Sequence, residues 1–307
     1  MSLAFVFPGQ GSQSVGMLKD LADNFSEVSS TFQEASDALG YDLWSLIQEG
    51  PADKLNSTDV TQPAMLASGV ATWRAWQAKG GAIPAVMAGH SLGEYTALVC
   101  AGSLTFVDAV KLVSQRGKFM MEAVPAGTGA MAAILGMDDD AVRQVCLDAA
   151  EGDVLEAVNY NSPGQVVVAG HKSAIERVTV LAKEKGAKRA LELPVSVPSH
   201  CALMKPAAEK LASVLNDISI STPTIPVINN VDVLTATTEL DIKEALTRQL
   251  FSPVRWVETI EKMSADGVDK VVECGPGKVL VGLNKRINKS MASAALVDSA
   301  SIEAALS

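Results

Sequence analysis

The chain has 307 residues, 48% of them apolar and 20% charged, with a formal net charge of −10. That is enough apolar material to bury a sizeable core in one large domain or two smaller ones. The acidic balance argues against nucleic acid and anionic membrane as partners, and no apolar run reaches spanning length. Cys100, Cys146, Cys201 and Cys274 are widely spaced and form no C-x-x-C pair, which disfavours zinc binding, redox chemistry and a disulfide framework. The stretch from Met1 to Phe7 lacks a basic region and reaches Pro8-Gly9 too soon for a signal peptide, so the expected location is cytoplasmic.

In chain order, Leu3 to Phe7, Ala85 to Ala88, Ile225 to Ile228, Lys270 to Cys274 and Ala295 to Val297 read as short buried strands. Helical patterns lie between them, most clearly over Gln62 to Lys79 and Phe106 to Val124. This alternation predicts an α/β fold with a parallel sheet covered on both faces. From Gly129 to Pro194 the rhythm changes to strand (Met131 to Leu135), helix (Asp138 to Ala150), strand (Leu155 to Asn159), strand (Gln165 to Ala169), helix (Ser173 to Lys185) and strand (Arg189 to Leu193). That is βαββαβ, the ferredoxin-like order. Its flanks, Pro125 to Gly129 and Pro194 to Pro198, carry Pro or Gly and read as the two strands of a hinge. The expected organisation is an α/β-hydrolase-like catalytic body from residues 1–126 and 196–307, with an inserted ferredoxin-like subdomain over 127–195 and a ligand cleft between them.

The most informative motif is Val86-Met87-Ala88-Gly89-His90-Ser91-Leu92-Gly93-Glu94, a short strand that breaks into G-x-S-x-G and then a helix of small residues. This is the pattern of a nucleophile elbow, in which glycines let strand and helix approach while the serine hydroxyl is presented at the turn. Ser91 is the expected nucleophile. A serine needs a base, and there are three histidines. His90 lies inside the elbow and is read as shaping it, and His171 as a surface turn residue. His200, on the return from the insertion, is left as the base. Arg116 has Leu112, Val113, Phe119 and Met120 at helical spacing, which puts a guanidinium on an apolar face. Something must answer it: an internal Asp or Glu, or a substrate carboxylate. The loop after the first strand, Pro8-Gly9-Gln10-Gly11-Ser12-Gln13, can aim backbone N–H groups at a developing oxyanion. Neither it nor Gly277-Lys278-Val279 matches a dinucleotide or phosphate loop, which leaves acyl chemistry without a bound cofactor.

Six segments together resemble the successive motifs of malonyl-CoA:acyl-carrier-protein transacylases: Phe7 to Gln13, Gly89 to Glu94, Gln115-Arg116-Gly117, Asn161 to Gln165, Val197 to His200, and Glu273 to Gly277. The resemblance covers nearly the whole chain. It implies transfer of malonyl from malonyl-CoA to the phosphopantetheine thiol of acyl carrier protein in bacterial type II fatty-acid synthesis. Carried over by position, it implies Ser91 as the acylated residue, His200 as base and Arg116 as the clamp on the malonyl carboxylate. It further implies the backbone N–H groups of Gln10 and Leu92 as the oxyanion hole, and the backbone carbonyl of Gln249 as the group orienting the histidine. Gln62 and Asn161 match positions near the family's site. Leu92 after the serine and Val197-Pro198-Ser199 before the histidine accord with malonyl over methylmalonyl.

Two rival readings share some of these features. A serine esterase or thioesterase would use the same elbow and base but should orient its histidine with a carboxylate and lack a buried arginine. A silent carrier-binding module would be expected to lose Ser91 or His200. For the carrier protein, the candidate docking clusters are Lys183, Lys185, Lys188 and Arg189, and Lys285, Arg286 and Lys289.

Overall fold

Apolar runs bounded by turns become strands, and the computed structural model, which describes residues 2–195 and 197–306, contains nine of them among those residues. They are β1 (Leu3–Phe7), β2 (Val86–Gly89), β3 (Gly129–Leu135), β4 (Leu155–Ser162), β5 (Gln165–His171), β6 (Arg189–Glu192), β7 (Val227–Ile228), β8 (Lys270–Cys274) and β9 (Ala292–Leu296). Met1 and Ser307, and Ser196, with which the second stretch of the expected body begins, lie outside the described residues.

Five strands form a wholly parallel sheet in the order β7-β2-β1-β8-β9. The central strand β1 is buried from Ala4 to Phe7. Phe5 and Phe7 face one apolar cluster while Ala4 and Val6 face another, so the sheet is covered on both sides as its apolar run requires. On the first side, Phe5 meets Trp73 edge-on at 5.2 Å and Trp76 at 5.3 Å, both from helix Thr58–Ala78. That helix begins four residues ahead of the predicted Gln62. The Thr61 hydroxyl donates to the carbonyls of Leu55 and Ser57, so residues that read as a polar loop satisfy their polar groups inside the packed structure. Strand β9 also begins earlier than predicted: Ala292 to Ala294 carry little strand signal of their own but pair with Lys270 to Val272.

The other four strands form an antiparallel sheet in the order β4-β5-β3-β6. With helices Asp139–Ala150 and Lys172–Glu184 they follow the predicted βαββαβ order. One face of this sheet, Ala132, Ile134, Val166 and Val168, packs with Val142, Ile175 and Val178 of the two helices. The opposite face, Met131, Val158, Val167 and Ala169, packs against Cys201, next to His200. The two flanking segments are not the sole attachment. Val254 donates to Val158 at 2.8 Å and accepts from Tyr160 at 3.0 Å, so β4 is stitched to the body by backbone pairing. This pairing is a third connection beside the two flanking segments read as hinge strands. Among the described residues no helix is long and apolar enough to cross a membrane.

At the end of β2 the chain turns directly into helix Gly93–Cys100. A Cβ at Gly89 would lie 1.8 Å from the carbonyl carbon of Gly93, and one at Gly93 would lie 2.0 Å from the Phe7 oxygen. The approach exists only because both are glycine. Gly93→Ala is expected to destabilise the protein by about 2–3 kcal/mol, the cost of overpacking against backbone, read as a lower urea midpoint. An unchanged midpoint would contradict this packing.

Candidate active site

The turn between β2 and helix Gly93–Cys100 places Ser91 at φ +51°. This left-handed backbone costs a non-glycine residue about 1–3 kcal/mol and persists only where its surroundings hold it. Asn230 does so from the loop after β7, the neighbouring strand: its Oδ1 accepts from Ser91 N–H at 2.7 Å and its Nδ2 donates to the Gly89 carbonyl at 2.7 Å. The Asn230 N–H in turn donates to Oε2 of Glu94 at 2.9 Å.

His200 also sits in the left-handed region, at φ +67°. Its backbone N–H donates to the Leu250 carbonyl at 3.0 Å. Its Nδ1 is 2.7 Å from the Gln249 carbonyl oxygen, and its Nε2 is 2.8 Å from Ser91 Oγ. A carbonyl can only accept, so Nδ1 carries the proton and Nε2 presents a lone pair to the serine hydroxyl. That is the tautomer a general base requires. Burial, and then the nearby Arg116 charge, push the imidazole pKa down to about 3.

Arg116, on helix Phe106–Glu122, is 1% exposed. Its Nη1 donates to Gln62 Oε1 at 2.8 Å, and its Nη2 to Gln249 Oε1 at 3.0 Å and to Ser91 Oγ at 3.4 Å. The guanidinium carbon lies 5.3 Å from the centre of the Tyr95 ring. Every hydrogen bond it makes to a described residue goes to a neutral oxygen, and its Nε has no partner among them. The internal Asp or Glu allowed by the sequence is therefore absent from its hydrogen bonds. Burial holds the pKa of Arg116 below its usual value.

The remaining expected residues converge on the same place. Gln10, Gln62, Ser91, Leu92, Arg116, Asn161 and His200 all line one cleft of about 210 Å³ between the two sheets. Gln249 is fully buried behind it and reaches it through its contacts with His200 and Arg116. Gly9 lies so close to the elbow that a Cβ there would be 2.5 Å from the His90 oxygen, which draws the Gln10 loop over Ser91. Asn161 Oδ1 is 2.8 Å from His90 Nε2, tying β4 to the elbow, and His90 also meets the Trp256 ring at 5.5 Å. His171 is the last residue of β5, part-buried at the junction with helix Lys172–Glu184 instead of on a surface turn, and its Nδ1 accepts from Val154 N–H at 2.9 Å. Glu94 and Asn230 were not anticipated. The signal for Asn230 was its position just past a predicted parallel strand, the end of the sheet where such folds bind ligands. Among the described residues no group of three or more His, Cys, Asp or Glu side chains is arranged to hold a metal ion.

A geometry with one nucleophilic hydroxyl, a neutral imidazole and a buried cation within hydrogen-bonding reach suits acyl transfer to serine. Because the folded-state pKa of His200 lies below the ordinary 6.5, the unfolded chain takes up a proton first as pH falls. Its contribution to stability is thus complete above about 6.5 and is lost progressively toward about 3. In NMR, the His200 ring signals are expected to stay in the neutral form from about pH 8 to about pH 5, whereas a midpoint near 6.5 would contradict the burial described.

The acyl transferase domain family matches residues 4–303. The malonyl CoA-acyl carrier protein transacylase of Salmonella typhimurium is 60% identical over 303 residues, covering 99% of this chain and 98% of that protein. A crystal structure of an acyl carrier protein S-malonyltransferase from Vibrio cholerae superposes with a TM-score of 0.97 at 61% identity, covering 99% of both chains. A malonyl-transacylase solved in complex with its type II PKS acyl-carrier protein gives a TM-score of 0.99 at 57% identity, covering 100% of this chain and 99% of that one. The chain belongs to the acyl transferase domain family and, within it, to the malonyl CoA-acyl carrier protein transacylases.

Proposed function

We propose that this protein transfers the malonyl group of malonyl-CoA to the phosphopantetheine thiol of acyl carrier protein through an acyl-serine intermediate, supplying malonyl-carrier for fatty-acid elongation. The observation that carries this reading is the buried Arg116 guanidinium, answered by neutral oxygens and 3.4 Å from Ser91 Oγ. In a malonyl ester the free carboxylate carbon is two C–C bonds from the acyl carbonyl carbon, about 2.5 Å away. An acyl group on Ser91 that ends in a carboxylate would bring it against that fork, which matches its planar geometry.

In the first half-reaction, His200 Nε2 takes the Ser91 proton as Oγ attacks the thioester carbonyl, and the backbone N–H groups of Leu92 and Gln10 receive the oxyanion. Collapse expels coenzyme A as its thiol, with the proton returned by His200. In the second, the same imidazole removes the proton of the carrier thiol, the thiolate attacks the acyl carbonyl, and Ser91 regains its proton. Neither half needs a resident cofactor, since nucleophile, base and oxyanion donors complete the chemistry. Asn161 supports the wall of the cleft through His90, and Gln62 supports Arg116. A serine esterase or thioesterase would be expected to orient its histidine with a carboxylate, and here a backbone carbonyl fills that position.

The reading includes an α/β-hydrolase-like body over 1–126 and 196–307 and a ferredoxin-like subdomain over 127–195. The elbow on a parallel strand supports the first, and the β4-β5-β3-β6 order supports the second. It also includes a cytoplasmic location, for which the support is four free cysteines of the kind a reducing compartment keeps. Carrier protein would dock through Lys183, Lys185, Lys188 and Arg189 and through Lys285, Arg286 and Lys289. Helix Val279–Ile287, which carries Lys285 and Arg286, lines the cleft with Val279, Leu280 and Leu283, and Arg286 donates to Gln165 of the cleft wall at 2.7 Å.

Arg116→Ala tests the assignment. It is expected to lower kcat/KM for malonyl-CoA by at least about a hundredfold, near 3 kcal/mol for a lost charge-assisted pair, while acetyl-CoA falls far less. Arg116→Lys should recover little, because a point charge cannot donate two parallel hydrogen bonds. Equal losses for both thioesters would make Arg116 a structural residue and overturn the reading.

A further inference from the structure

Glu94 is 2% exposed, one helical turn behind the nucleophile, and takes no part in the steps above. Its Oε2 accepts two hydrogen bonds, from Asn230 N–H at 2.9 Å and from Gln249 Nε2 at 2.8 Å. The Gln249 amide is thereby gripped at both ends. Nε2 donates to Glu94 and to the Ser91 carbonyl at 3.0 Å, while Oε1 accepts from Arg116 Nη2 at 3.0 Å. A carbonyl and a buried acceptor on one side and a pure donor on the other leave a single workable orientation, because a flipped amide would point its NH2 at the guanidinium.

We propose that Glu94 is a positioning residue for acyl-group selection: by accepting from Gln249 it aims the amide oxygen at Arg116 and holds the guanidinium where a substrate carboxylate must meet it. The inference rests on the reading of Arg116 as the carboxylate clamp. Two branches leave Glu94. The one through Asn230 supports the Ser91 turn and serves any acyl group. The one through the Gln249 side chain reaches the Ser91 carbonyl and Arg116, and its contact with Arg116 serves an acyl group that ends in a carboxylate. Without Glu94, the Ser91 carbonyl is the one acceptor among the described residues that still holds the amide nitrogen. The acceptor is what matters: burial raises the Glu94 carboxyl to about 7, with Arg116, Arg248 and Asp232 as the charged groups facing it, and Oε2 can accept in either protonation state.

The test is the ratio of Ser91 acylation rates by malonyl-CoA and acetyl-CoA, followed by intact-protein mass in wild type, Glu94→Ala, Glu94→Gln and Arg116→Ala. Glu94→Ala is expected to lower the malonyl-to-acetyl ratio by about tenfold or more, the value of one hydrogen bond in a charged network. Glu94→Gln, whose amide oxygen can accept the same two bonds, should stay within about threefold of the wild-type ratio. A general loss of folding or of the Ser91 turn would slow both thioesters and leave the ratio alone. If Glu94→Ala keeps the wild-type ratio, or Glu94→Gln loses it as fully as Glu94→Ala, the proposal is overturned. Should Glu94→Ala not fold, Glu94→Asp withdraws the oxygen by one methylene and must also lower the ratio; retention overturns the proposal equally. If Arg116→Ala leaves the ratio at its wild-type value, the clamp reading itself fails and takes this inference with it, whereas a collapse there with an unchanged Glu94→Ala defeats this inference alone.

Discussion

Burying a guanidinium costs several kcal/mol even after the surroundings relax, and a hydrogen bond to a charged group returns about 1.5–3 kcal/mol. Among the described residues Arg116 has two amide oxygens and one longer contact to a hydroxyl as hydrogen-bond partners, and no carboxylate. Its burial is therefore compensated in part, by neutral dipoles that keep it in place without neutralising it. Much of the site can be understood as the apparatus for this arrangement. Gln62 comes from the first turns of helix Thr58–Ala78, Gln249 from the end of helix Glu239–Gln249, and Tyr95 from the helix after the nucleophile. Three separate elements are thus committed to holding one cation beside Ser91.

The same residues connect the cation to Ser91 and His200. Gln249 gives its side chain to Arg116 and its backbone carbonyl to His200, so a single residue fixes both the fork and the imidazole tautomer. Ser91 and His200 each adopt a left-handed backbone, which would relax if their partners were removed. Asn230 holds the first and the Leu250 carbonyl the second. Burial first, and the cation second, lower the imidazole pKa, so the group proposed to select the substrate also favours a neutral His200. Arg116 and His200 are thus linked through charge.

Much of this was legible in the sequence, for local reasons. G-x-S-x-G in a strand-turn-helix setting pointed to Ser91, helical spacing put Arg116 on an apolar face, and the βαββαβ order was visible in the periodicity. His200 followed from there being few histidines and one return segment. What could not be read from local pattern was the set of partners, because these are made across the fold: Arg116 meets residues 54 and 133 positions away, and Ser91 N–H meets one 139 positions away. Gln249 was expected for its backbone carbonyl, and its side-chain role appears only when helices distant in sequence pack. Glu94 stands in the elbow motif, but nothing local marks its pairing with Gln249, 155 positions away. The pairing of β4 with Val254 was likewise invisible, since backbone bridges carry no side-chain signature.

The central claim is that one serine carries the acyl group between two thiols. Mixing the protein with malonyl-CoA and recording its intact mass tests this most directly. The account predicts a single malonyl adduct on the wild type that maps to Ser91, that Ser91→Ala does not form, and that phosphopantetheinylated carrier protein removes while carrier lacking the thiol does not. An unmodified wild type, or an adduct that persists in Ser91→Ala, would contradict it.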